Sequence, residues 1–133
     1  MRGLDTNVLL RALIQDDPAQ AAVAQREVAE SAHRGERLHL STIVLCEAIW
    51  TLRGKPYRLD RTALSDFLEK LLADTLFEVQ DRDLVRQALD DFRHGEADFS
   101  DYLVGWVNRR AGCRETLTFD GDLRGHEGFS LLT

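Results

Sequence analysis

The chain of 133 residues carries 44% hydrophobic and 30% charged side chains, the balance of a soluble globular domain with a proper core. No apolar run approaches the roughly 18–20 residues that cross a bilayer, and Met1-Arg2-Gly3-Leu4-Asp5 meets an acid too early for a signal peptide, so a cytoplasmic location is expected. A formal net charge of −6, with an isoelectric point near 5.2, argues against holding nucleic acid by phosphate neutralisation alone and leaves room for a carboxylate cluster that cations neutralise.

The predicted elements begin with a very short strand, Arg2-Gly3-Leu4, that ends at Asp5. Thr6 caps a helix over Val8 to Ile14. Asp16-Asp17-Pro18 places an acidic cap and a first-turn proline before an Ala-rich helix that runs to about Arg34 and stops at Gly35. Arg37 to Leu40 reads as a strand, and Ser41 or Thr42 caps a helix over Ile43 to Leu52. Gly54-Lys55-Pro56 is a loop. Leu64, Phe67, Leu68, Leu71 and Leu72 make a helical stripe within Asp60 to Leu72.

Leu76 to Val79 is the next strand, and Asp81 or Asp83 starts a helix through Phe92 that ends at His94-Gly95. Asp98 caps a helix from Phe99 to Arg110, terminated by Gly112. Thr116 to Phe119 and Phe129 to Leu132 complete the strands. Strands alternating with helices imply crossover connections. The expected fold is a single α/β domain over residues 1–133, three-layered α/β/α, with a short-stranded parallel sheet of four or five strands.

Cys46 and Cys113 have no Cys-x-x-C or Cys/His ligand spacing and read as reduced thiols that pack as small hydrophobes. His33, His39, His94 and His126 are scattered and read as surface or cap residues. The chemistry lies with the carboxylates. In an open parallel sheet, ligands bind beyond the carboxyl ends of the strands, where Asp5 and Asp120 fall. Glu47 lies in the second turn of the helix after the second strand, between Ile43 and Trp50 and beside Cys46, so it is expected on that helix's apolar face. Such a position calls for a partner or a cation.

Asp101 lies in the first turn of its helix, off the stripe Phe99, Tyr102, Leu103, Trp106 and Val107. Asp98, one turn earlier, reads first as a helix cap. Converging carboxylates repel, and a hard divalent cation, Mg²⁺ or Mn²⁺, is the obvious compensation. One or two such ions activate water and orient a phosphodiester for in-line displacement. The sequence has no Gly-rich phosphate loop and no serine–histidine pair to offer a rival chemistry.

The run Leu4-Asp5-Thr6-Asn7-Val8-Leu9-Leu10 resembles the opening of PIN domains, particularly the VapC-type toxins of bacterial toxin–antitoxin pairs. Ser41-Thr42-Ile43-Val44-Leu45-Cys46-Glu47, Ala97-Asp98-Phe99-Ser100-Asp101-Tyr102-Leu103-Val104 and Thr116-Leu117-Thr118-Phe119-Asp120-Gly121-Asp122-Leu123 are similar to that family's later landmarks, in the same order and across nearly the whole chain. The resemblance implies that Asp5, Glu47, Asp101 and Asp120 are the catalytic and metal-binding acids. Asp98 and Asp122 are further candidate ligands beside them, and Thr6, Asn7 and Thr118 are supporting polar residues. It further implies a Mg²⁺- or Mn²⁺-dependent endoribonuclease of the cytoplasm, a homodimer, with RNA as substrate and a cognate antitoxin whose tail covers the acidic groove.

Two basic patches, Arg53-Lys55-Arg58-Arg61 with Tyr57 among them and Arg109-Arg110-Arg114, are candidate contacts for RNA phosphates and bases or else solvated surface. The rival readings are a PIN-like nuclease of RNA processing or DNA cleavage, and a catalytically silent protein-binding α/β domain. A receiver-like domain fits poorly, because Asp120 is not a mid-chain acceptor and no lysine follows a late strand. A silent domain would be expected to lose one of the four acids, and all four are present.

Overall fold

The computed structural model describes residues 1–14 and 17–133. β1 (Arg2–Gly3) leads into α1 (Thr6–Leu13) and α2 (Pro18–His33), and β2 (Leu38–Leu40) into α3 (Thr42–Arg53) and α4 (Arg61–Ala73). β3 (Phe77–Val79) leads into α5 (Arg82–His94) and α6 (Phe99–Arg110). β4 (Thr116–Thr118) reaches β5 (Phe129–Leu131) past one 3₁₀ turn (Gly121–Leu123).

Every strand pairing is parallel, as alternation with helices requires. Arg2 lies opposite Leu38, Leu38 opposite Phe77, and Thr116 opposite Phe129. The expected single sheet of four or five strands is instead divided: β1, β2 and β3 form one ladder, β4 and β5 another. Length explains the break. The Leu4 amide donates to the His39 carbonyl at 3.1 Å, and Asp5 then leaves the sheet to cap α1, so β1 contributes only Arg2–Gly3 to its ladder.

Side-chain periodicity places the core. Leu38 and Leu40 on β2 and Phe77 and Val79 on β3 are buried on alternate positions. Leu45, Ile49 and Leu52 on α3, Leu64, Leu68, Leu71 and Leu72 on α4, and Val85, Leu89 and Phe92 on α5 pack against them at helical spacing. Burial of one such side chain contributes about 1.5–3 kcal/mol. α1 packs on α2, α4 on α5, and α5 on α6, which supplies Phe99, Tyr102 and Leu103.

The caps hold, with corrections. Asp5, not Thr6, caps α1, its carboxylate accepting from the Val8 amide at 2.9 Å. Asp17 caps α2 by accepting from the Gln20 amide at 3.2 Å, with Pro18 in the first turn, while Asp16 lies outside the described residues. Ser41 caps α3. Asp81 sits before α5 in a left-handed conformation without a side-chain cap bond, and Asp83 in the first turn pairs with Arg110. Gly95 ends α5 for want of space rather than for its backbone angles: φ is −106°, and a Cβ there would overlap the Tyr102 hydroxyl.

Arg61, read from sequence as part of a basic patch, is a structural residue. Its guanidinium donates to the Phe92 carbonyl at 2.8 Å, the Ala97 carbonyl at 2.9 Å and the Glu96 carbonyl at 2.7 Å, and lies 4.3 Å over the Phe92 ring. It therefore satisfies the carbonyls of the α5–α6 connection, which delivers Asp98 and Asp101. Tyr57 packs on the core rather than standing free for a base. No helix among the described residues is long and apolar enough to cross a membrane.

Candidate active site

Asp5 stands where β1 gives way to α1. One of its carboxylate oxygens is occupied by the cap bond, and the residue is exposed. The next residue, Thr6, donates its hydroxyl to Glu47 Oε1 at 2.9 Å, which draws the second turn of α3 to the first turn of α1. The expectation that Glu47 lies on a buried apolar face is overturned. Glu47 is exposed, and its neighbours Ile43 and Trp50 are 70% and 49% exposed. α3 buries Val44, Leu45, Ala48, Ile49 and Leu52, so its apolar surface covers most of the helix and the Ile43–Glu47–Trp50 face looks outward. Glu47 is thus accessible without a desolvation penalty. Asn7 lines a groove with Asp5, and Cys46, beside Glu47, is half-buried, its thiol pushed up to about 11 by burial. Cys113 is exposed rather than packed.

At the other side, Asp98 and Asp101 share a capping box: the Asp98 amide donates to Asp101 Oδ2 at 3.1 Å. Asp98 also forms an ion pair with Arg53 from the end of α3. This pair ties α3 to α6 and accounts for one member of the first basic patch. Asp120 follows β4. The Thr118 hydroxyl accepts from the Asp120 amide at 3.0 Å, and Asp120 Oδ1 accepts from the Asp122 amide at 2.9 Å, so this carboxylate is held at the start of the 3₁₀ turn. Asp122 itself is exposed.

Asp101 has its carboxyl pushed above the ordinary aspartate range, first by burial, then by the like charges of Asp98 and Asp120, with the Asp98 amide and Arg53 opposing. A folded-state pKa above the unfolded one favours the folded state at low pH, and that contribution is lost as pH rises through the raised value. Asp98→Asn removes a like charge and is expected to move the Asp101 midpoint down, whereas Arg53→Ala is expected to move it up. A carboxyl-carbon NMR titration reads both, and a midpoint unmoved by either variant would contradict the placement.

Asp101 and Asp120 are therefore within electrostatic reach of each other, and Glu47 is joined to the residue after Asp5. Asp101 also lines a groove between α3 and α6 with Cys46, the neighbour of Glu47. Among the described residues no three acids stand close enough to enclose an ion as placed. The donor set nonetheless suits a hard divalent cation, being all carboxylate oxygen, with Asp101 held against like charge. The second basic patch is partly committed: Arg110 pairs with Asp83, and Arg109 lies 5.5 Å over the Trp106 ring. Two features had no sequence signal, the Arg53–Asp98 pair and the packing of His126 between Tyr102 and Phe129, because both depend on which helices meet.

Residues 4–127 match the PIN domain, which takes in every candidate acid. The chain is also 27% identical over 119 residues to a VapC ribonuclease of Aquifex aeolicus (strain VF5), covering 90% of this chain and 87% of that one. No solved structure gives a significant match. An α/β fold of short parallel strands, an acid at the end of β1, and further acids on α3, on α6 and after β4 agree with a match that spans almost the full length, and the chain belongs to the PIN domain family.

Proposed function

We propose that residues 1–133 act as one Mg²⁺- or Mn²⁺-dependent endoribonuclease unit, the toxin of a toxin–antitoxin pair, hydrolysing RNA phosphodiester bonds in the cytoplasm. The observation that carries this reading is the pairing of acids across elements: Glu47 bonded to Thr6 beside Asp5, and Asp101 electrostatically coupled to Asp120. Similarity to a VapC ribonuclease supports RNA as the substrate and an antitoxin as the partner.

Asp5 and Asp101 would hold the cation most directly, with Glu47 and Asp120 completing the set and Asp98 and Asp122 in reserve. The bound cation supplies positive charge opposite the phosphate and makes water acidic enough to act as nucleophile near neutral pH. The chain's own residues keep the acids in place: Thr6 restrains Glu47, the Thr118 hydroxyl restrains the Asp120 backbone, and the capping box restrains Asp101. An antitoxin segment has an apolar groove beside Asp5, between α1 and α2, lined by Val8, Val23 and Ala24.

The test is cleavage of single-stranded RNA by the purified protein with Mg²⁺ or Mn²⁺ and its loss in EDTA. Cleavage that persists in EDTA would overturn the metal-dependent reading.

The proposed homodimer draws support from α3 and α6, which leave Ile43, Trp50, Val104 and Val107 at 42–70% exposure around one groove, an apolar face of the kind that marks a protein interface. Val104→Glu is expected to convert the dimer to monomer in light scattering with the circular dichroism spectrum unchanged. An identical mass for parent and variant would remove this face from the interface.

A further inference from the structure

We infer that the cavity between α6 and β5, lined by none of the four candidate acids, binds one unstacked base of a single-stranded RNA. The inference rests on the ribonuclease reading above and extends it to how the substrate is held. The cavity has a volume of about 340 Å³, within the range of roughly 300–1,000 Å³ typical of small-molecule pockets. Trp106, His126 and Phe129, each partly exposed, line it above the buried Tyr102, and the exposed Arg109 is a further lining residue.

The rings are fixed before any ligand arrives. A single carboxylate oxygen of Asp91 accepts from the Trp106 indole at 2.7 Å and lies 3.5 Å from His126 Nε2. His126 in turn lies 5.0 Å from Tyr102 and 5.8 Å from Phe129, ring centre to ring centre. Gly105 lets Phe129 lie directly against α6, since a Cβ there would collide with the ring. Arg109 is held less firmly. It lies 5.5 Å from the Trp106 ring centre, and its carboxylate partner, Glu127, is 4.0 Å away and 89% exposed.

Charge and shape select the ligand. The charged lining is balanced in number, with Arg109 and Arg114 against Glu115 and Glu127, so it carries no excess of cationic side chains for a phosphate. A neutral planar group that stacks on aromatic faces, and offers donors and acceptors in its own plane to guanidinium and carboxylate, satisfies the lining. An unstacked nucleobase has both properties.

Location agrees with this role. α6 carries Asp101 in its first turn and Arg109 about 12 Å further along its axis at 1.5 Å per residue. β4 runs the other way, from Thr116 at the cavity to Asp120 just past its end. The Asn108 side chain donates to the Thr116 hydroxyl at 3.0 Å, binding the two elements together. The cavity thus runs along the same helix–strand pair that carries Asp101 and Asp120, with Arg109 and Thr116 at its far end, a separation that a short stretch of single strand spans.

Trp50 and Trp106 are the two tryptophans of the chain, so Trp50→Phe leaves Trp106 as a lone fluorescent reporter. Titration of this folded variant in EDTA with AMP, CMP, GMP and UMP is expected to give saturable quenching by at least one nucleotide and none by ribose 5-phosphate. Adding Arg109→Ala is expected to weaken that binding roughly tenfold, in the range measured for base stacking on side chains. In RNA cleavage, Arg109→Ala in the otherwise unaltered chain is expected to raise KM more than it lowers kcat.

Absence of quenching by all four nucleotides, in protein with a cooperative melt, would overturn the inference. So would equal quenching by ribose 5-phosphate. RNA cleavage without nucleotide quenching would leave the ribonuclease reading standing and this one refuted. Quenching without cleavage by the unaltered protein would refute the ribonuclease reading instead.

Discussion

Asp5→Asn is expected to lower RNA cleavage on the order of 10²–10³-fold, the loss that follows removal of one fixed electrostatic group from a reacting centre. The melting temperature is expected to stay close to that of the parent. The two expectations separate because the helix cap and the proposed cation make different demands on Asp5. One oxygen caps α1 through the Val8 amide, and asparagine caps a helix as well as aspartate does. What asparagine lacks is the negative charge that the proposed cation requires.

Asp5→Ala provides the contrast. It removes cap and charge together and is expected to lose about 1 kcal/mol of stability as well as activity. Initial rates on single-stranded RNA at saturating Mg²⁺, with thermal melts of the same preparations, read both quantities. Undiminished cleavage by Asp5→Asn would remove Asp5 from the catalytic set.

Arg61→Ala is expected to lose about 2–3 kcal/mol of stability and most of the activity together, although Arg61 touches none of the four acids. Its guanidinium satisfies three carbonyls at Phe92, Glu96 and Ala97, and charge-assisted bonds of this kind contribute about 1.5–3 kcal/mol each before relaxation. Those carbonyls bound the connection from α5 to α6, and the residues that follow are Asp98 and Asp101. Without the arginine, the connection relaxes toward water and the first turn of α6 loses its placement relative to Asp120. Arg61→Lys is not expected to restore either quantity, because an ammonium presents donors from one point rather than a planar fork. Chemical denaturation and cleavage rates of the three proteins decide the matter. A stable, fully active Arg61→Ala protein would show that the connection holds itself.

Local chemistry was legible in the chain. Ser41 and Asp98 preceding apolar-periodic runs, and Pro18 after an acid, mark helix starts whose reasons lie within a few residues, and they appear as expected. Asp5 was legible at the end of a strand but not as the cap, because Thr6 is an equally good cap in sequence and only the position of the first helical turn chooses between them. The strand–helix alternation fixed parallel pairing. It did not reveal that the five short strands would divide into a three-stranded and a two-stranded ladder.

Glu47 shows the limit most clearly. A helical wheel places it among Ile43, Cys46 and Trp50, but a wheel does not say which of two apolar faces meets the rest of the protein. Packing gave the interior to Leu45, Ile49 and Leu52, and left Glu47 on the outward face, joined to Thr6.

By itself, then, the sequence determined the kinds of elements and their order, and it singled out the acids that the proposed function uses, since these follow from short-range periodicity, capping and the composition of brief motifs. Only the tertiary structure decided that Arg61 is structural, that Arg53 belongs to Asp98, and that Asp91 pins Trp106 and His126 behind one cavity. Each of those depends on contacts between residues 15 to 45 positions apart, and such contacts are selected by the packing of whole helices rather than by any local pattern.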